Sequence, residues 1–248
     1  WAIVLGYVSV VAFEAVALPT AVEYLFPNYS QIHLWTIAGW DVKLTWVLVG
    51  IIASVFVTWI NYVGIKISSI FQIIFTILVA FGGLFLVFGS VIGGSAENMK
   101  PLFAGGGMGG MLAVLIMTPF MFVGFDVIPQ AAEEINLKRS TIGRLLIFSV
   151  ILAVLFYASV IWGVGRALTA EQMAKSNLVT ADAMAAAYHS HVMGILLVFG
   201  GIGGIITSWI GFYIGGSRAL YALARAKMLP AFLGALHPKY KTPHNAIL

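Results

Sequence analysis

Thr118-Pro119-Phe120-Met121-Phe122-Val123-Gly124-Phe125-Asp126-Val127-Ile128-Pro129-Gln130-Ala131-Ala132-Glu133-Glu134 is the stretch on which the reading of this chain turns. Pro119, Gly124, Asp126 and Pro129 fall within eleven residues, which an uninterrupted spanning helix does not normally hold. Proline removes a backbone donor, glycine favours non-helical angles, and aspartate prefers an N-cap to a helix interior. Together they predict unwinding near Gly124-Phe125 and a second half-helix starting around Asp126. Pro129 then sits in the first turn of that half-helix, where its missing N–H costs nothing. In hydrocarbon an unwound backbone strands polar groups at several kcal/mol each, so it survives only buried in protein or lining a wet cavity. A broken helix near the midplane is the usual pointer to a transporter's binding site. Its freed N–H groups favour anionic groups, and its freed carbonyls favour cations or ammonium. A proline-kinked packing helix is the alternative. Asp126, an ionisable group at depth, weighs towards function.

Composition puts this segment in a bilayer. Apolar residues make up 61% of the 248 and charged residues 9%, with a mean hydropathy of +1.01. A soluble domain carries about 25% charged residues, so the chain has too few to cover a water-facing surface. There is no cysteine, which excludes disulfides, thiol catalysis and thiolate metal sites. The five histidines (His33, His189, His191, His237, His244) lack zinc-type spacing, so no metal site is expected. The net charge of +4 is segregated by loop, as membrane topology requires, and does not form a nucleic-acid surface.

A spanning helix needs ~20 apolar residues. Six stretches qualify, at about 1–22, 44–62, 67–92, 108–136, 142–165 and 192–222, with the fourth broken near 124–126. They are read as one transmembrane domain over 1–248, all-α and polytopic. Six spans place both ends on one side, which holds nine of the 13 Lys/Arg residues, against four (Lys43, Lys100, Arg166, Lys175) on the other. The nine-residue side is cytoplasmic by the positive-inside rule. The chain opens inside an apolar run at Trp1 and closes on Pro243-His244-Asn245-Ala246-Ile247-Leu248, where another begins. Both features read as a longer protein cut at each end. In the outer loop 166–191, Thr169-Ala170-Glu171-Gln172 fits a capping box and the Ala-rich run 181–188 favours helix, so two short surface helices are expected. Gly105-Gly106-Gly107-Met108-Gly109-Gly110 lacks the Gly-Lys-Ser/Thr ending of a phosphate loop and reads as a lead-in to the fourth span.

Glu14 lies mid-span in Val11-Ala12-Phe13-Glu14-Ala15-Val16. A bare carboxylate there costs ~3 kcal/mol on insertion scales, so it must face the bundle interior and be protonated, paired or wet. Glu14 and Asp126 are the acids placed within spans and away from their ends, and both are candidates for proton coupling. A protonated Glu14 bonded to a neighbouring helix is an equally good structural reading. Gly200, Gly204, Gly211 and Gly215 repeat at four-residue spacing, the small-residue pattern that lets helices approach closely.

Several motifs then resemble one family. Phe-x-Phe-x-Gly-Phe-Asp at 120–126, followed by Glu133-Glu134, is similar to the sixth helix of the amino acid–polyamine–organocation permeases. Ser217-Arg218-Ala219-Leu220-Tyr221-Ala222-Leu223-Ala224-Arg225, ending in Leu229-Pro230, resembles the end of that family's eighth helix. His237-Pro238-Lys239, Thr242-Pro243 and Asn61-Tyr62-Val63-Gly64-Ile65-Lys66 match further junctions, in the family's order along the whole chain. The resemblance implies a LeuT-type inverted-repeat fold, with this chain covering about helices three to eight. It implies substrate contact by Phe120, Val123, Gly124, Phe125, Asp126 and, by a looser alignment, Phe212. For Phe212 helix packing is the stronger reading. Thr207-Ser208 resembles the hydroxyl pair that helps hold sodium in ion-coupled members, although hydrogen bonding back to a carbonyl one turn earlier satisfies such residues in any membrane helix. Two departures stand out. The turn after the glutamates reads Asn136-Leu137-Lys138-Arg139 without the family's proline, and Val79 stands near where some proton-coupled relatives carry lysine.

The expected function is a secondary active importer or exchanger of amino acids or related amines across the cytoplasmic membrane, working by alternating access. It is coupled to H+ or Na+, uses no cofactor and contacts the lipid bilayer. The alternatives are an ion channel or a non-transporting membrane subunit, and less readily an intramembrane enzyme, for which the spans offer no deep histidine or nucleophile–base pair.

Overall fold

A computed structural model describes residues 2–103, 107–130 and 138–248. Trp1, Gly105, Gly106, Ala131, Ala132, Glu133, Glu134, Asn136 and Leu137, named above, lie outside the described residues, as do the side chains of Ile65, Lys66 and Arg139. Ten α-helices are described: α1 (Ala2–Leu25), α2 (Leu44–Val63), α3 (Ile65–Gly93), α4 (Met108–Met121), α5 (Val127–Gln130), α6 (Arg139–Ala167), α7 (Ala170–Lys175), α8 (Val179–Ala187), α9 (His191–Arg225) and α10 (His244–Ile247). Five stretches are long and apolar enough to cross a membrane: Ala2–Leu25, Leu44–Val63, Ser69–Gly93, Ser140–Ala167 and His191–Arg225. With that many spanning helices, the protein is an integral multi-pass membrane protein.

The stretch 108–136 is not one long helix among the described residues. α4 has 14 residues, short of a full crossing. Pro119 lacks the N–H that would bond Leu115, and the helix closes with tighter bonds, Phe122 N–H to Pro119 O and Val123 N–H to Phe120 O. Residues 122–126 are turns, with Gly124 at φ 114°, a conformation that side chains resist. α5 then begins at Val127 and holds Pro129 within its first turn.

The chain folds as two compact units: Trp1–Ile77 with Asp126–Lys138 and Gly201–Leu248, and Leu78–Phe125 with Arg139–Gly200. One of the points where the chain passes from one unit to the other lies between Phe125 and Asp126, inside the turn that separates α4 from α5.

In the first unit, Leu18, Val57, Ile60, Trp209, Ile210 and Ile214 form the buried core. Pro19 cannot donate to Ala15, and that freed carbonyl faces α2 at Gly50, where a Cβ would lie 2.6 Å from the Ala15 oxygen. Glycine there lets α1 and α2 approach closely. Past the end of α2, the Thr242 hydroxyl donates to the Tyr62 carbonyl (2.9 Å), and His237, Tyr240 and His244 pack round the Tyr62 ring.

Between α1 and α2 lies a hairpin absent from the sequence reading, β1 (His33–Ile37) and β2 (Trp40–Lys43). Ala38 (φ 50°) and Gly39 (φ 84°) make its two-residue turn, both left-handed, as the twist of a tight hairpin demands. Thr36 pairs with Asp41, and Ile37 with Trp40. The Thr36 hydroxyl donates to Asp41 at 2.6 Å, with His33 3.4 Å from the same oxygen. Below the hairpin, the Tyr29 phenol donates to the Pro19 carbonyl (2.9 Å), and burial together with the charge of Glu23 pushes that phenol up to about 12.

In the second unit, Leu86, Val164, Leu168, Ala183 and Met184 make the core. The Thr169 capping box with Gln172 opens α7, as the sequence indicates. α8, expected as a surface helix, is instead docked: Ala181, Ala183, Met184 and Ala187 are buried. The end of α3 explains the docking. A Cβ on Gly93 would fall 2.0 Å from the Ala187 carbonyl oxygen, and the Tyr188 phenol donates to the Phe85 carbonyl (2.9 Å). Arg166, expected in the loop, closes α6, lies over the Trp162 ring, and donates to the Ser90 and Gly94 carbonyls at the end of α3.

Gly93→Val should displace α8, because the obstruction is backbone and cannot rotate away. The expected loss is about 1–3 kcal/mol, read as a lower thermal midpoint in detergent. The hairpin offers a pH test. The Thr36 hydroxyl first, and then His33 and Lys43, hold the Asp41 carboxyl below its ordinary value. A lowered folded value means the contribution is complete above the unfolded value of about 3.9 and is lost as pH falls through the folded one. Amide exchange over 33–43, corrected for its intrinsic pH dependence, should therefore quicken on acidification, and Asp41→Asn should abolish that acid-dependent component.

Candidate functional site

In the first unit, two contacts between distant side chains involve the acids Glu14 and Asp126, and a third joins Thr58 on α2 to Tyr213 on α9 at 2.8 Å. In the first, Glu14 from the middle of α1 is buried at 7% exposure, and the Ser208 hydroxyl on α9 donates to its Oε1 at 2.5 Å. The residues are 194 apart in sequence. A helical hydroxyl can turn to a carbonyl of its own helix, whereas a carboxylate needs a donor from elsewhere. The neighbouring Thr207 does turn back, donating to the Gly203 carbonyl at 2.8 Å. The hydroxyl pair is thus divided, Thr207 serving its own helix and Ser208 serving α1.

In the second contact, the Tyr7 phenol on α1 donates to Asp126 Oδ2 at 2.6 Å. Tyr7 is 2% exposed and Asp126 is half-buried. Phe212 of α9 is buried against Tyr7, ring centroids 5.8 Å apart and tilted by 52°, in a cluster with Val10. Gly215, one turn further on, leaves the space this needs: a Cβ there would meet the Tyr7 ring and a Val127 methyl, each at 3.1 Å.

The remaining substrate candidates, Phe120, Val123, Gly124 and Phe125, belong to the second unit. Phe120, Val123 and Phe125 are exposed, and the neighbouring Phe122 packs edge-on against Tyr157 at 5.5 Å. Among the described residues no three His, Asp or Glu side chains converge as metal ligands would.

An amino acid permease family model matches residues 1–248. The chain belongs to the amino acid permease family, within the amino acid–polyamine–organocation superfamily. Among this permease's relatives is the branched-chain amino acid permease BcaP of Bacillus subtilis, 27% identical over 252 residues, covering 99% of this chain and 54% of BcaP. Another is an uncharacterized transporter of Rhizobium meliloti, 28% identical over 207 residues, covering 80% of this chain and 43% of the relative. The Asc-type amino acid transporter 1 of Homo sapiens is 25% identical over 209 residues, covering 77% and 38% respectively. The permease chain thus spans about half the length, or less, of the relatives it matches. They are named as permeases and transporters, not as enzymes.

Sequence reasoning missed Tyr7 altogether. An aromatic in an apolar span reads as packing, and nothing within α1 announces a partner 119 residues away. It named Glu14 and Ser208 separately without pairing them, since contact between distant helices leaves no local signal.

Ser208→Ala leaves a buried carboxyl without its donor and should cost about 1–3 kcal/mol, measured by thermal unfolding of the permease in detergent. In a Glu14→Leu background the same substitution should cost little, because no carboxyl then needs a partner.

Proposed function

We propose that this permease chain is part of a secondary active transporter that moves amino acids or related amines across the cytoplasmic membrane by alternating access, with a LeuT-type inverted-repeat architecture. The observation that carries this reading is the buried Glu14 carboxyl in mid-span, hydrogen-bonded by Ser208 from another spanning helix. Intramembrane acids are costly, and those a protein keeps commonly mark ion pathways and proton relays.

Glu14 is assigned the coupling proton. A serine hydroxyl is both donor and acceptor. It donates to Glu14 when the carboxyl is ionised, and accepts from it when the carboxyl is protonated. The contact therefore persists through a proton's arrival and departure, so neither state leaves a group stranded in low dielectric. Asp126 is assigned the substrate's ammonium group, at the turn between α4 and α5. By the family resemblance, Phe120, Val123, Gly124 and Phe125 are further candidates for substrate contact, all four in the second unit. The names of BcaP and the Asc-type transporter support small zwitterionic amino acids as the substrate class.

Uptake into proteoliposomes holding the full-length protein tests the reading, with a panel of neutral amino acids under an imposed proton or sodium gradient. The wild type should accumulate substrate on a proton gradient. Glu14→Gln should lose that accumulation at least tenfold, yet still exchange labelled for unlabelled substrate across the membrane. Asp126→Asn should weaken binding of zwitterions. Proton-driven accumulation that survives in Glu14→Gln would refute the coupling assignment.

A further inference from the structure

We infer that the β1–β2 hairpin is a membrane-surface anchor: the face carrying Trp35, Ile37, Trp40 and Val42 lies against the lipid headgroup region of the bilayer. An anchor of this kind is independent of what the protein transports.

The register sorts the hairpin's side chains into two faces. Directly opposed residues of an antiparallel pair share a face, and successive residues alternate between faces. Thr36 opposes Asp41, whereas Trp35 opposes Val42 and Ile37 opposes Trp40. The polar face is closed on itself: the Thr36 hydroxyl donates to Asp41, and the His33 ring nitrogen lies 3.0 Å from that hydroxyl. The other face carries two tryptophans, an isoleucine and a valine. Trp35, Ile37 and Trp40 are 53%, 63% and 67% exposed, so the described residues leave that face uncovered. A two-stranded hairpin is marginal in water unless its apolar face packs on something, and a contiguous apolar patch of this kind marks an interaction surface.

The tether identifies the partner. Lys43, the last residue of β2, runs directly into Leu44 of α2, and only residues 26–32 separate the end of α1 from β1. That short lead is itself tied down. The Leu44 N–H donates to the Ile32 carbonyl (2.9 Å), the Thr45 hydroxyl donates to the Tyr29 carbonyl (2.7 Å), and the Gln31 N–H donates to the Thr45 hydroxyl oxygen (2.9 Å). The base of the hairpin is thus knitted to the first turn of a spanning helix. A five-residue strand reaches about 17 Å from there at most, so the hairpin cannot leave the neighbourhood of the membrane surface. Tryptophan is the side chain enriched at that level, because its large ring suits hydrocarbon while its N–H suits the wet headgroups. Laid flat, the hairpin puts both tryptophans on lipid and turns His33, Thr36 and Asp41 to water.

The test places a nitroxide spin label on the full-length protein in phospholipid vesicles, with any native cysteines replaced and one new cysteine at a time: Thr36→Cys, Ile37→Cys or Trp40→Cys. Dissolved oxygen, which concentrates in hydrocarbon, and a water-soluble nickel chelate report the two environments. The ratio of oxygen to nickel collisions should be several-fold higher at positions 37 and 40 than at position 36, one residue away on the opposite face. Equal, nickel-dominated ratios at all three positions would put both faces in water and overturn the inference. Weak collisions with both reagents at 37 and 40, or broadening between labels on two molecules, would overturn it in favour of a protein surface, either another part of the transporter or a second copy. A label-free measurement uses the variant carrying both Trp35→Phe and Trp40→Phe, which keeps an apolar face. The emission lost relative to the wild type should be quenched by phospholipids brominated close to the headgroup more than by those brominated near the chain ends, and should resist aqueous iodide. Emission that iodide quenches and brominated lipid does not would overturn the inference without any label.

Discussion

Hydrocarbon offers no hydrogen-bond partners, so every polar group that enters the membrane must be satisfied by the protein itself. Most of the hydroxyls here meet that demand within their own helix. Ser54 donates to Gly50, Thr118 to Val114, Ser159 to Phe156 and Thr207 to Gly203. Such groups are held locally and need nothing from another helix. Carboxylates cannot follow this route, since they accept and do not donate, and a helix's own N–H groups are already engaged. Glu14, in mid-helix, must therefore recruit a donor from another segment, and it recruits Ser208. Asp126, in the turn before α5, accepts from Tyr7 on α1.

Bringing those donors within reach requires the backbones to come close, and small residues permit it. Gly50 lies against the Ala15 carbonyl that Pro19 frees, and Gly215 leaves room for the Tyr7 ring and Val127. The second unit follows the same rule at the end of α3. There Gly93 admits the Ala187 carbonyl, and Arg166 supplies donors to carbonyls that the helix end leaves open. The glycines thus answer a need for space and Arg166 a need for donors at a helix end.

Much of the architecture is legible along the chain because it depends on local composition. Five of the six stretches that hydropathy marks as spans are membrane-length apolar helices, and the capping box at Thr169 follows from residues three apart. The hairpin at 33–43 was not legible: its turn is Ala38-Gly39, which lacks the Asn-Gly or Asp-Gly signature, and its strands are only five and four residues long. The docking of α8 was hidden for a different reason. An Ala-rich helix looks the same exposed or buried, and only the glycines at the end of α3, far earlier in the chain, create the groove it enters.

By itself the sequence determined that this chain belongs in a bilayer, that Glu14 lies midway along one apolar stretch and Asp126 within another, and that proline and glycine crowd the stretch 119–129. These follow from residue chemistry and from neighbours within a turn or two. Only the tertiary structure decided which partner each acid takes: Ser208, 194 residues from Glu14, and Tyr7, 119 residues from Asp126. The reason is physical. A helix advertises its apolar faces through periodicity, but a single hydrogen bond across two helices depends on how their axes cross, and no local pattern encodes that crossing.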